Sequence, residues 1–133
     1  MGYRSDVSII FYARGSSNDA SANATLKFWF DETYPVKEAT DEWCAIVRQR
    51  DGAIVVDYED VKWYESYEHV IAVELAIRKF DDTFRCGDED GQYAHEFLRV
   101  GEDDTDIEVE RSDWNDHLLY VSRAIRVDLA GID

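Results

Sequence analysis

The sequence predicts an α+β fold: a mixed or antiparallel sheet with helices packed on one face. Three observations carry this. Apolar residues recur with a period of two in some segments and at helical spacing in others, and the two kinds of segment alternate along the chain. A hairpin is written plainly in the middle, where Ala45–Arg50 and Ala53–Tyr58 flank Asp51-Gly52. That dipeptide suits a tight type I′ turn, whose two central residues both need positive φ. The chain also holds a single proline, Pro35, and only seven glycines, so long regular elements are not interrupted.

Taken in order, Asp6–Ala13 (DVSIIFYA) reads as a first strand that is apolar on both faces and therefore central. Gly15-Ser16-Ser17-Asn18-Asp19 is a loop that ends in helix-capping residues. Across Ala20–Trp43, Leu26–Phe30 alternates like a strand, but the length and the Ala and Glu content favour helix. Pro35 lacks an N–H and clashes with the preceding turn, so two helical pieces are expected. The hairpin follows. Ser66 is placed to cap a helix over Tyr67–Phe80, with Glu65 and Glu68 near its positive end. Val70, Val73, Ile77 and Phe80 form its apolar face, and Glu74 stands four residues before Arg78. A glycine-marked acidic loop, Phe84–Gly91, leads to a strand at Gln92–Val100. Ile107–Arg111 is a short strand, and Leu118–Leu129 reads as one long strand with Leu119, Val121, Ile125 and Val127 on one face. The order β-α-β-β-α-β-β suits helices on one side of the sheet. The ferredoxin-like split arrangement, βαββαβ with an extra C-terminal strand, is the nearest named topology.

The length of 133 residues, with 45% hydrophobic and 14% aromatic side chains, fits one domain over 1–133 that needs neither disulfide nor metal to fold. No apolar run is long enough for a membrane helix, and the N-terminus lacks the order of a signal peptide. Cys44 and Cys86 form no framework and read as reduced thiols, so a cytoplasmic location is expected. Thirty acids against 14 bases give a net charge of −16. That charge argues against direct nucleic-acid binding and against anionic membranes, and it favours basic partners.

Catalytic templates fail in turn. GxGxxG, GxxxxGK[ST], HExxH, GxSxG and CxxC are all absent. A calcium loop around Gly91 would want an acid where Cys86 stands. The run Asp104–Glu108 has alternating oxygens, but Val109 occupies the position of the turn glycine. His69, His95 and His117 are far apart, and Asp113, Asp116 and His117 match no template. Cys44 or Cys86 would need a base and a lowered pKa to act as a nucleophile. No catalytic residue, metal ligand or cofactor is assigned.

Two features stand above this background. Residues 81–116 hold 14 of the 30 acids, opposed by Arg85, Arg99 and Arg111, a surplus of 11 negative charges. Solubility of a small domain asks for a net magnitude of only about 2–8. From this region Asp81, Asp82, Asp88, Glu89, Asp90, Glu102, Asp103, Asp104, Asp106 and Glu108 are the candidate partner-binding acids. The second feature is the aromatic run Trp63, Tyr64 and Tyr67, which either staples the second helix to the sheet or offers exposed anchors. Trp63 and Tyr64 join the candidate surface on the second reading.

Met1–Val7 (MGYRSDV), Asp60–Tyr64 (DVKWY) with Tyr67, Arg99–Asp103 (RVGED) with Asp106-Ile107, and Arg123-Ala124-Ile125 together resemble small proteins of tailed bacteriophages. The resemblance implies an accessory protein made in the bacterial cytoplasm that binds host machinery, with imitation of DNA charge as one form of such binding. The expected function is therefore non-enzymatic: an acidic face that engages a basic host protein, of the nucleic-acid-binding kind. The alternative is a small metal-dependent enzyme or ligand-binding domain built from carboxylates and His95 or His117. The oligomeric state is open, a homodimer through exposed aromatics included.

Overall fold

The computed structural model describes residues 4–13, 20–35, 45–50, 52–86, 92–103, 105–112, 119–121 and 127–129. Its elements run β1 (Ser5–Ala13), α1 (Ala20–Thr33), β2 (Ile46–Arg50), β3 (Ala53–Val61), α2 (Glu68–Phe84), β4 (Tyr93–Gly101), β5 (Ile107–Arg111), β6 (Leu119–Val121) and β7 (Val127–Leu129). The main sheet has the order β2-β3-β1-β4-β5, and every pairing in it is antiparallel. The α+β class is as the sequence predicts. The β2-β3-β1-β4 order, with one helix between β1 and β2 and another between β3 and β4, is compatible with the ferredoxin-like arrangement.

β1 lies in the middle because it is apolar on both faces. Val7, Ile9, Phe11 and Ala13 join α1 and α2 in one core, while Ile10 and Tyr12 join Val55, Ala94 and Leu98 in a smaller one on the opposite face. The helical spacing of Leu26, Trp29 and Phe30 decides the character of α1 over their local alternation, since all three are buried and Phe28 faces out. The helix stops at Thr33, because Tyr34 precedes Pro35 and is pushed out of the α region. The proposed second helical piece and the capping loop at 15–19 lie outside the described residues.

Gly52 has φ 79°, as the tight turn requires, and its N–H donates to Asn23 Oδ1 on α1 at 2.5 Å. Four aromatic rings surround Phe11, three from the helices and Tyr34 from just past α1: Trp29 at 5.1 Å, Phe30 at 6.4 Å, Tyr34 at 5.8 Å and Phe80 at 4.8 Å. The Tyr34 and Tyr58 hydroxyls meet at 2.8 Å, so each buried phenol has a polar partner.

Three expectations need correction. Ser66 is not the cap of α2: Tyr67 holds that position with extended backbone, and its carbonyl accepts the first helical bond, from Ile71. The helix also continues four residues past Phe80, because Phe84 packs on Trp29, Phe80 and Tyr93; it ends at Arg85, whose left-handed backbone (φ 53°) turns N–H groups back to Asp81 O. The single strand at Leu118–Leu129 is instead two short strands, β6 and β7, paired with each other in a separate sheet. The strand added to the main sheet is β5, beside β4.

Phe80 is wholly buried among rings from α1, α2 and β1. Phe80→Ala is expected to lower unfolding stability by about 3–5 kcal/mol, read from urea denaturation at an unchanged slope. A loss below about 1 kcal/mol would mean that the aromatic cluster does not hold the helices to the sheet.

Candidate acidic interface

Of the described candidate acids, Asp81 and Asp82 lie on α2, Glu102, Asp103 and Asp106 in the turn between β4 and β5, and Glu108 on β5. The β4–β5 turn is closed by backbone bonds from Gly101 N to Asp106 O and from Asp106 N to Asp103 O. Within it Asp103 Oδ1 accepts the N–H and the hydroxyl of Thr105 at 3.0 and 2.9 Å, which holds its carboxyl below the usual range. The register of β4 on β5 then places Glu108 beside Arg99 and Glu110 beside Phe97, on the face that carries the helices.

Many of these acids are committed to internal partners. Arg99 makes a two-pronged contact with Asp106, at 2.9 and 3.1 Å, and donates from Nε to Glu108 at 3.0 Å. Glu96, buried on the opposite face, accepts from Arg111 Nε at 2.9 Å. His95 is buried at 1% exposure and meets Asp81 at Nδ1 (2.6 Å) and Glu110 at Nε2 (3.2 Å). Burial alone would push its pKa down. The hydrogen bonds and charges of the two carboxylates outweigh that and raise it to about 9, so the ring is an imidazolium at neutral pH. Cys86 lies against Asp81 also, and burial followed by that negative charge pushes its thiol far up. A nucleophilic cysteine needs the opposite environment.

Next to these pairs, α2 and β5 enclose a concavity of about 240 Å³ lined by Glu65, Glu74, Ile77, Arg78, Phe97, Glu108 and Glu110. Four carboxylates thus share one small hollow with one arginine. Burial is the main reason that the Glu74 carboxyl sits above its ordinary value. Arg78 opposes the shift, and Glu65, Glu108 and Glu110 add to it. A larger groove, about 750 Å³, lies between the end of α1, Val47 and α2, but there Asp31 and Glu32 share the lining with Lys79. Among the described residues no group of three or more His, Cys, Asp and Glu side chains is placed to hold a metal ion. His117 and the acids at 113 and 116 lie outside the described residues, as does Cys44.

Of the candidate partner-binding residues, Asp82, Glu102, Asp103 and Glu108 are exposed, while Asp81 and Asp106 are half-buried in their pairs. Asp88, Glu89, Asp90 and Asp104 lie outside the described residues. Trp63 is not an exposed anchor. It is buried against Tyr58 and Phe97, at 5.6 and 5.9 Å, and staples the approach to α2 onto the sheet. Tyr64 is half-buried, edge-on to Tyr67 at 5.1 Å. The candidate set lacks Glu65, Glu74 and Glu110. Their signal was the combination of period two at 108 and 110 with helical spacing at 74 and 78. Set against known proteins, the chain matches no family model, no curated protein and no solved structure. No helix in the described residues is long and apolar enough to cross a membrane.

Because the pKa of His95 is raised above its unfolded value near 6.5, its pairs stabilise the fold fully below that pH, and the gain is lost as pH rises through about 9. Melting temperature is therefore expected to fall between pH 6.5 and 9, by an amount equivalent to roughly 3 kcal/mol at most. In His95→Gln this slope should vanish. Equal slopes in both proteins would show that His95 is not a cation in the fold.

Proposed function

We propose that this chain is a non-enzymatic binding protein that engages a basic partner protein through the acidic concavity between α2 and β5. The observation that carries the reading is the lining of that hollow: Glu65, Glu74, Glu108 and Glu110 with Arg78, the last two carboxylates also reaching Arg99 and His95. The carboxylates are not grouped to share a metal ion. They suit a larger cation, a lysine ammonium or an arginine guanidinium, that reaches one or two of them at a time. Such a contact adds a positive charge beside Glu74, whose carboxyl is raised first by burial and further by Glu65, Glu108 and Glu110.

The wider charge supports the same reading. A net charge of −16 steers basic surfaces toward the protein and repels nucleic acid itself. Together with the resemblance to small phage proteins, it makes a host protein with a nucleic-acid-binding surface the favoured partner, met in the bacterial cytoplasm. Inhibition of that partner by occupying its basic surface is the consequent activity.

Titration with hexalysine by calorimetry tests this. Binding is expected at low salt and should weaken at least tenfold at 0.5 M, where the Debye length is only a few ångströms. Glu65→Gln with Glu74→Gln should weaken it at least fivefold, while Asp31→Asn with Glu32→Gln removes the same charge elsewhere and should leave it nearly unchanged. Equal losses in the two double variants would overturn the concavity as the site.

A further inference from the structure

The outer edge of β5 borders the acidic hollow. Two backbone bonds fix the phase of the β4–β5 ladder, Gly101 N to Asp106 O and Ser112 N to His95 O. Antiparallel bonding alternates, so residues 106, 108, 110 and 112 direct their backbone groups to β4, while 107, 109 and 111 direct theirs outward. Val109 therefore presents an N–H and a C=O at the sheet edge, and no described residue bonds them. Among the described residues β5 has no strand on its outer side.

The side chains flanking that site carry a charge surplus. Asp106 and Glu108 share Arg99, Asp81 and Glu110 share His95, and Glu65 and Glu74 share the hollow with Arg78. Six carboxylates against three cations leave a local excess of negative charge. Glu108 and Glu110 remain exposed, and each carboxylate accepts further bonds.

We propose that the β5 edge is the docking strand for an extended basic segment of the partner, with lysine or arginine at alternate positions opposite Glu108 and Glu110. This rests on the reading above and names its binding mode, addition of a strand to the sheet. The geometry is favourable in two ways. A residue opposite Val109 completes the backbone pair there. Residues opposite Glu108 and Glu110 fall at non-hydrogen-bonded positions, where side chains stand closest, Cα atoms about 4.5 Å apart. Charge complementarity also selects the occupant. A second copy of the chain would bring its own Glu108 and Glu110 and a net charge of −16, so the same carboxylates that accept a basic strand repel self-association.

Two nine-residue peptides measured by fluorescence anisotropy test the mode. One alternates lysine with threonine. The other alternates lysine with proline, which has equal charge but no N–H to offer Val109. The first is expected to bind at least tenfold tighter. Val109→Pro removes the outward donor, puts the proline ring where an added strand would lie, and leaves the β4 ladder intact, which circular dichroism and melting temperature verify. It should abolish the preference without changing binding of the lysine–proline peptide. Equal binding of both peptides would overturn strand addition and leave the acidic site standing. Preference retained in Val109→Pro would also overturn the β5 edge. Binding of neither peptide would overturn the acidic site as well.

Discussion

The contact on which the rest of the structure depends is that of Phe11 with its four aromatic neighbours. β1 is the central strand, and rings from both helices meet it at Phe11: Trp29 and Phe30 from α1, Tyr34 just past its end, and Phe80 from α2. Aromatic rings bury large apolar areas and prefer tilted or edge-on contacts, so the cluster fixes orientation as well as proximity. The same chain of rings continues from Phe80 through Phe84 to Tyr93 on β4. Tyr93 is two residues before His95, and Asp81 is one residue after Phe80. The core thus sets the approach of Asp81 to His95, and His95 in turn holds Glu110 of β5. The placement of the acidic strand is therefore inherited from packing at the centre of the molecule.

This explains how so acidic a chain tolerates its own charge. Like charges concentrated on one hairpin raise the free energy of the compact state. Here Arg99 and the His95 imidazolium each stand between two carboxylates, and Arg111 meets Glu96 on the opposite face. Exposed ion pairs are individually worth little, about 0–1 kcal/mol. His95 differs because it is buried: either carboxylate lost would leave a cation short of partners in low dielectric. Repulsion is offset at the strand by Arg99 and His95, while in the concavity Glu65 and Glu74 join Glu108 and Glu110 with Arg78 as the added cation.

Much of the fold was legible in the residues because its signals were local. The Asp-Gly turn, the doubly apolar β1 and the face Val70, Val73, Ile77 and Phe80 each report their own surroundings, and all three lie where those signals put them. The boundaries of α2 were not legible, since they depend on contacts distant in sequence: Phe84 extends the helix by packing on Trp29 and Tyr93. The division of the last strand into β6 and β7 escaped the period-two pattern for a related reason, because alternation describes a strand without saying which partner it takes. At the acidic site, composition located the excess but could not say which acids were internally paired. Trp63 shows the same ambiguity, since an aromatic beside carboxylates suits a core and an interface equally until its neighbours Tyr58 and Phe97 are known.

A solubilising coat would explain acidity spread over a surface, each carboxylate in its own water. It does not by itself explain four carboxylates around one hollow, where burial raises Glu74 and Glu65, Glu108 and Glu110 raise it further. Glu65 and Glu74 are not what holds β5 in place: the cations on β4 are engaged by Asp81, Asp106, Glu108 and Glu110, and Glu65 and Glu74 add charge beyond them. On the proposed reading, a cation entering the hollow would meet Glu74, whose neutral form burial favours, and Glu65 beside it. An exposed edge strand poses a parallel problem, since its outward backbone groups invite pairing. In the proposed docking mode, carboxylates at 108 and 110 would resolve it selectively, turning away acidic chains, including copies of this one, and admitting basic ones. One pair of side chains, Glu108 and Glu110, belongs both to the hollow and to the edge, so the proposed basic extended partner would meet the two together.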